Sequence, residues 1–329
     1  MQKIFVARPI FPDVVERLRL HFDVDWNDGP PLGPEALASR LADKDGALTA
    51  GDPIGAATLA AAPRLRVVSN MAVGYNNFDI PAFNAANVLA TNTPDVLNES
   101  TADFGWALMM AAARRMAESE RWLRAGHWKG WRHDGFLGSD VYGSTLGIIG
   151  MGRIGQALAR RARGFSMRVV YHNRSRVGAE VEAELDAQYL SKAELLSQAD
   201  HVVLVLPYTP ENHHTIGAAE FALMKPTATL TNIARGGIVD DAALAKALRE
   251  KRIAAAGLDV FEGEPQVHPG LLEVPNVVLT PHIASASEAT RRAMANLAAD
   301  NLMAALGVGP RAGQPPNPVN PQVLGKARA

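Results

Sequence analysis

Short apolar runs alternate with Ala-, Leu- and Arg-rich helical patterns from the first residue of the chain onward. The runs KIFVA (3–7), GALTA (46–50), RVVSN (66–70) and VLATN (88–92) read as strands. A second series follows: TLGIIG (145–150), RVVYHN (168–173), HVVLVL (201–206), ATLTNIA (228–234), IAAAGLDV (253–260) and VVLTP (277–281). Most of these runs are apolar throughout rather than at every second position, as a parallel sheet covered on both faces requires. Between the series lies a helical pattern over 100–126 with Ser100 placed to cap it, and after the last strand another over 287–307, closed by Gly307. Residues beyond Pro310 return to no obvious strand. The expected fold is α/β, with two doubly wound parallel-sheet domains. A Rossmann-type cofactor domain (99–287) is inserted into a flavodoxin-like substrate domain (1–98 and 288–329), and the two long helices form the crossings.

Composition narrows the function classes. A chain of 329 residues exceeds one ordinary core. A formal net charge of −1 gives no electrostatic pull toward nucleic acid or an anionic membrane, and neither is expected as a partner. No apolar run is long enough to span a bilayer, and MQKIFVARPI is not a signal peptide. The absence of cysteine removes disulfides and thiolate chemistry, so a reducing, cytoplasmic setting is expected.

The chemistry begins at TLGIIGMGRIGQALARRARGF, which gives strand, tight turn and helix in order. Gly150, Gly152 and Gly155 suit the turn, the close approach of a pyrophosphate and helix–strand contact, with Arg153 and Ile154 inside the loop. The helix N-terminus then faces the phosphates. The next strand, 18 residues past Gly155, ends in Asn173, Arg174, Ser175 and Arg176 rather than in the carboxylate that would hold a ribose 2′-hydroxyl. An amide removes the repulsion of a 2′-phosphate, and Arg174 and Ser175 can donate to its oxygens. NADP(H) is therefore expected in preference to NAD(H). Arg176 either adds charge or lies solvated.

Three further segments end strands of the same domain: TNIARGGIVDD with Arg235, GLDVFEGEP with Asp259 and Glu264, and VVLTPHIAS with His282. Each residue alone has an ordinary structural reading; together they suit reduction of a 2-oxo acid. A guanidinium can grip the substrate carboxylate in bidentate fashion. An imidazolium can protonate the oxygen as hydride reaches the carbonyl carbon, and a neighbouring carboxylate keeps that imidazolium stable. The adjacent His213 and His214 lack a spacing such as HExxH and are taken as loop residues, so no metal is expected.

These motifs, with LPYTPEN and VGYNNFD, resemble the D-isomer-specific 2-hydroxyacid dehydrogenase family in order and over nearly the whole chain. The resemblance implies that Arg235, Glu264 and His282 are the catalytic trio. It also implies that the amides of Val73 and Gly74 bind the substrate carboxylate, that Thr101, Ile233 and Asp259 meet the nicotinamide half of the cofactor, and that Pro207 lies beside the adenosine. Most members carry aspartate where Asn173 stands; the Asn-Arg-Ser form is similar to the NADPH-preferring branch that reduces glyoxylate and hydroxypyruvate. That branch implies a homodimer joined through residues near 100–140, including Trp128 and Trp131. Two alternatives stay open: another 2-oxo acid, such as 2-ketogluconate or an arylpyruvate, and a nucleotide-sensing regulator without significant turnover.

Overall fold

The computed structural model describes residues 1–327. The chain divides into two compact units, one made of Met1–Leu97 with the segment from Ser287 onward, the other of Asn98–Ala286. Each is built on its own all-parallel sheet.

In the first unit β1 (Lys3–Val6), β2 (Asp23–Trp26), β3 (Gly46–Thr49), β4 (Val67–Asn70) and β5 (Leu89–Thr91) line up in the order β2-β1-β3-β4-β5, a flavodoxin-like arrangement. Apart from Lys3 at the start of β1, its interior strands are buried throughout, which is why they read as unbroken apolar runs. The helix Glu288–Ala305 returns to this sheet: Ser69 Oγ on β4 donates to the Ala298 carbonyl at 2.8 Å, and Leu302 and Ala298 are buried in the same core. Gly307, at φ 80°, follows the end of that helix.

The Pro-rich tail adds no strand, but it covers the outer side of β5. Asn320, almost completely buried, accepts from Ala90 N at 2.8 Å and donates to the Val88 carbonyl and to Asn84 Oδ1, both at 3.0 Å. Val319 N donates to the Ala90 carbonyl at 2.8 Å. A bare parallel-sheet edge invites a foreign strand, and here the Asn320 side chain and the Val319 amide together occupy it.

The second unit holds β6 (Thr145–Ile149), β7 (Arg168–His172), β8 (Ala187–Tyr189), β9 (His201–Leu204), β10 (Thr229–Asn232), β11 (Ala255–Leu258) and β12 (Val277–Leu279). The order is β12-β11-β10-β9-β6-β7-β8, the Rossmann order with one strand added. Register decides what this sheet can present. Ile149 pairs with His172 and Leu204, Leu204 with Asn232, Asn232 with Leu258, and Leu258 with Leu279. Six strands therefore end in one row, and the loops after them leave from a single edge.

Two sequence expectations change. The pattern over 100–126 is not one helix: Asn98–Ala113 and Met116–Arg124 are separated at Arg114 and Arg115, where Arg115 takes φ 52° and no continuous helix can pass. Ser100 lies inside the first of these helices, not at its cap. Among the described residues no helix is long and apolar enough to cross a membrane.

Replacing Asn320 with Ala leaves the buried Ala90 amide unpaired. We expect a loss of about 2 kcal/mol in chemical denaturation of the whole chain. A loss below about 0.5 kcal/mol, the range of an indifferent surface change, would mean that the tail does not secure β5.

Candidate active site

The glycine loop leaves β6 and enters the helix Arg153–Ala162 with Gly152 as its N-cap residue. Gly150 sits at φ 109°, and a Cβ at Gly155 would lie 2.2 Å from the Gly150 carbonyl oxygen, so the helix can meet the strand this closely only with glycine at both points. A Cβ at Gly152 would meet nothing within 4 Å, which leaves open space in front of the helix N-terminus. Thr101, on the helix Asn98–Ala113, is buried with its hydroxyl oxygen unpartnered among the described residues. A cradle open at the loop and a waiting buried hydroxyl both fit a dinucleotide. Ile233, buried at the end of β10, packs against Gly105 of the Thr101 helix, where an added Cβ would sit 2.6 Å from Ile233 Cδ1.

Beyond β7 the structure sorts the basic turn residue by residue. Asn173 Oδ1 accepts from the Met151 amide at 2.7 Å, so this side chain braces the glycine loop while its NH2 group stays on the other side of the amide. Arg174 and Ser175 are exposed. Arg176 is exposed but not free: it forms a two-pronged pair with Glu182 at 2.7 and 2.6 Å. Tyr171 OH donates to the same carboxylate at 2.6 Å and accepts from Val177 N at 3.0 Å. Hydrogen bonds from Arg176 and then Tyr171 pull the Glu182 pKa down to about 2, while burial first and Glu182 second push Tyr171 up to about 12. This triangle pins both ends of the turn and leaves Arg174 and Ser175 as its outward groups. Arg174 faces the loop after β9: Glu211 is held below its usual range, first by its hydrogen bond with Thr209 and in smaller part by the charge of Arg174. Pro207 lies exposed in that loop, its carbonyl accepting from Asn212 Nδ2 at 2.5 Å.

The loops after β10, β11 and β12 assemble the second cluster. Arg235 follows β10, and the next residue, Gly236, packs backbone to backbone against the turn after β11; a Cβ there would lie 1.8 Å from the Phe261 carbonyl oxygen. That contact sets the Arg235 turn against the turn leading to Glu264; the guanidinium donates to the Ala234 carbonyl at 2.6 Å and feels the charge of Glu264. Burial lowers the Arg235 pKa and the charge of Glu264 opposes it; an arginine remains a cation under either influence. Glu264 Oε1 accepts from Phe261 N at 3.0 Å, and Oε2 lies 2.8 Å from His282 Nδ1. Burial alone would raise the Glu264 carboxyl, but the bonds from His282 and Phe261 N, with the charges of His282 and Arg235, hold it below its usual value. With Nδ1 committed to the carboxylate, Nε2 is the ring nitrogen left to face a ligand.

Asp259 explains how His282 is held. Its carboxylate, fully buried, accepts from Thr280 Oγ1, Ile283 N and Ala284 N, each at 2.8 Å, and its backbone carbonyl accepts from His282 N at 2.9 Å. His282 itself adopts φ 53°, an unusual conformation for a non-glycine residue that this frame sustains. Asp259 is thus anchored within the loop after β12, a role that its place at a strand end did not reveal.

In the first unit, the carbonyls of Val73 and Gly74 accept from Asn92 Nδ2 at 2.8 Å and Asn70 Nδ2 at 2.9 Å. The Val73 carbonyl lies in one peptide plane with Gly74 N, and Val73 N lies in one plane with the Ala72 carbonyl, which accepts from Thr93 N at 3.0 Å; both planes are thus fixed, and among the described residues the amides of Val73 and Gly74 donate to nothing. The sequence reading named the two amides but not the asparagines that hold the carbonyls of the same loop. The signal available, Asn at the end of one strand and just past another, is too common to read unaided.

A family model described as D-isomer specific 2-hydroxyacid dehydrogenase, NAD binding domain, matches residues 106–284. A glyoxylate reductase of Thermococcus onnurineus is 48% identical over 329 residues, covering 98% of this chain and 97% of its own. A crystal structure of a Thermus thermophilus protein is 40% identical with a TM-score of 0.89, covering 97% of this chain and 100% of that one. An NADPH-dependent glyoxylate/hydroxypyruvate reductase of Sinorhizobium meliloti, solved with NADP and malonate, is 34% identical with a TM-score of 0.84, covering 100% of this chain and 99% of that one. With two parallel sheets of the expected orders and sequence agreement across both units, the chain belongs to the D-isomer-specific 2-hydroxyacid dehydrogenase family and is an enzyme of that type.

Proposed function

We propose that this enzyme reduces small 2-oxo acids, glyoxylate to glycolate and hydroxypyruvate to D-glycerate, with NADPH preferred over NADH. The observation that carries this reading is the 2.8 Å contact of His282 Nδ1 with Glu264, next to Arg235 at one sheet edge. The names of the relatives in Thermococcus and Sinorhizobium support the substrate choice.

Arg235 takes the substrate carboxylate, which fixes the carbonyl relative to His282; in the first unit the amides of Val73 and Gly74 are substrate-binding groups. The bound cofactor supplies a hydride. His282 delivers a proton from Nε2 to the carbonyl oxygen, and Glu264 stabilises the charged ring before transfer. Gly150, Gly152, Arg153, Ile154 and Gly155 hold the pyrophosphate; Thr101, Ile233 and Asp259 border the nicotinamide half; Pro207 lies beside the adenosine. Asn173, Arg174 and Ser175 take the 2′-phosphate, with the fork of Arg174 as the main charged contact. Arg176, spent on Glu182, stays out of that contact. The working form is a homodimer, a reading supported by the exposure of Trp128, Trp131 and Tyr142 at 60%, 79% and 73%. A single mass, that of the monomer, in light scattering would reject it.

Three kinetic outcomes are expected. His282→Ala loses most of kcat, about 100-fold or more, with little change in NADPH affinity by fluorescence titration; turnover within a few-fold of wild type would remove the acid assignment. Arg174→Ala lowers kcat/KM with NADPH about tenfold or more while leaving NADH unchanged, and an equal effect on both cofactors would count against the phosphate contact. The third concerns pH. Glu264 has a lowered pKa, so it is ionised above its usual value of 4.5 and its charge is lost only as pH falls through a still lower one. Its negative charge is therefore present beside His282 Nδ1 throughout the neutral range. Glu264→Gln keeps the shape and removes that charge, and kcat/KM for reduction at neutral pH falls about tenfold or more. A rate within a few-fold of wild type would mean that Glu264 does not support the acid.

A further inference from the structure

A second group of metal-ligating side chains stands apart from Glu264 and His282. The loop after β9 presents His213 and His214 side by side, their rings stacked with centroids 3.8 Å apart. The turn after β11, 48 residues further along the chain, brings Glu262 against both. His214 Nε2 lies 2.8 Å from Glu262 Oε2, and His213 Nε2 lies 3.7 Å from Oε1. All three ligand atoms fall within 4.8 Å of one another. A zinc ion bonded at about 2.0–2.2 Å to imidazole nitrogen and carboxylate oxygen sets its ligand atoms roughly 3–4 Å apart. The two measured separations fall just below that range and within it, and rotation of the stacked imidazoles about their side-chain bonds would turn both nitrogens toward one ion.

The supports behind the ligands are already in place. Tyr208 OH lies 3.3 Å from His213 Nδ1, the nitrogen turned away from Glu262, and its ring meets the imidazole edge-on. The His214 amide donates to the Gly237 carbonyl at 2.7 Å. The Glu262 amide donates to Asp241 Oδ2 at 3.1 Å, and Asp241 is itself buried. Outer partners of this kind orient ligands and are a usual part of a metal site. The side chains of His213, His214 and Glu262 remain 41%, 36% and 42% exposed, which leaves an entry path and room for water at a fourth position. Two nitrogens and one oxygen favour a borderline ion over magnesium or calcium, which want oxygen alone.

We propose that His213, His214 and Glu262 form a zinc-binding site that ties the loop after β9 to the turn after β11. The absence of an HExxH-like spacing does not weigh against it, because the third ligand comes from a different strand end. The site lies outside the residues assigned to hydride transfer and does not depend on that assignment.

The test is isothermal titration of zinc chloride into the chelator-treated full chain, with a chromophoric chelator as competitor. One zinc per chain is expected in the wild type, with magnesium giving no uptake. His213→Ala and Glu262→Gln should each weaken zinc binding by more than tenfold, and Tyr208→Phe, which removes only an outer partner, by about tenfold. His213→Ala should keep its reductase rate in the absence of zinc. His282→Ala, which breaks the other histidine–carboxylate pair, should bind zinc as the wild type does. No zinc uptake by the wild type would overturn the proposal, as would undiminished uptake by His213→Ala or loss of uptake in His282→Ala alone.

Discussion

The buried carboxylate of Asp259 is the fixed point from which the chemistry of the second unit is laid out. It directly follows β11, yet it serves the loop after β12, where three donors at 2.8 Å converge on its two oxygens. Burying a charge without such donors would cost several kcal/mol, so removing any of them is felt by the rest. The return is geometric: His282 is held at a backbone angle it would not choose, with Nδ1 against Glu264. Gly236 plays the matching part on the other side by allowing the Arg235 turn to lie against Phe261. Imidazole, carboxylate and guanidinium are thus positioned by strand ends whose register is set by the parallel sheet, and no long flexible loop is involved.

Much of this was legible in the sequence because buried parallel strands leave an unmistakable pattern. The ten apolar runs all became strands, to within a few residues at their ends. The two strands that were missed, Asp23–Trp26 and Ala187–Tyr189, are both outermost in their sheets. DVDW alternates and AQY is short, as edge strands tend to be, so neither carries the apolar signal of an interior one. The break at Arg115 also left no mark, since Ala-rich and Arg-rich sequence on both sides has high helix propensity and no glycine or proline announces the turn.

The site was legible to a different depth. Residue types at strand ends pointed to Arg235, Glu264 and His282 because the reaction class demands a cation, a carboxylate and an acid. Partners that come from elsewhere in the chain were invisible. Nothing in NRSR says that Arg176 is claimed by Glu182 six residues on, or that Tyr171 shares the same oxygen. Neither do neighbouring histidines announce Glu262. Spacing along the chain reports local geometry; pairing across loops is decided by how the sheet aligns its ends.

One such pairing bears on how cofactor preference can change in this family. Asn173 Oδ1 receives the Met151 amide, so the residue we propose for the ribose end of the cofactor also braces the glycine loop. Aspartate offers the same acceptor oxygen in the same place, whereas alanine, glycine or a basic residue offers none. Drift between the two dinucleotides is therefore channelled through a pair of isosteres that keep the brace while exchanging a neutral amide for a charge. The brace narrows the accessible alphabet at this position to near two letters, and leaves the wider variation to Arg174 and Ser175, whose side chains carry no such burden.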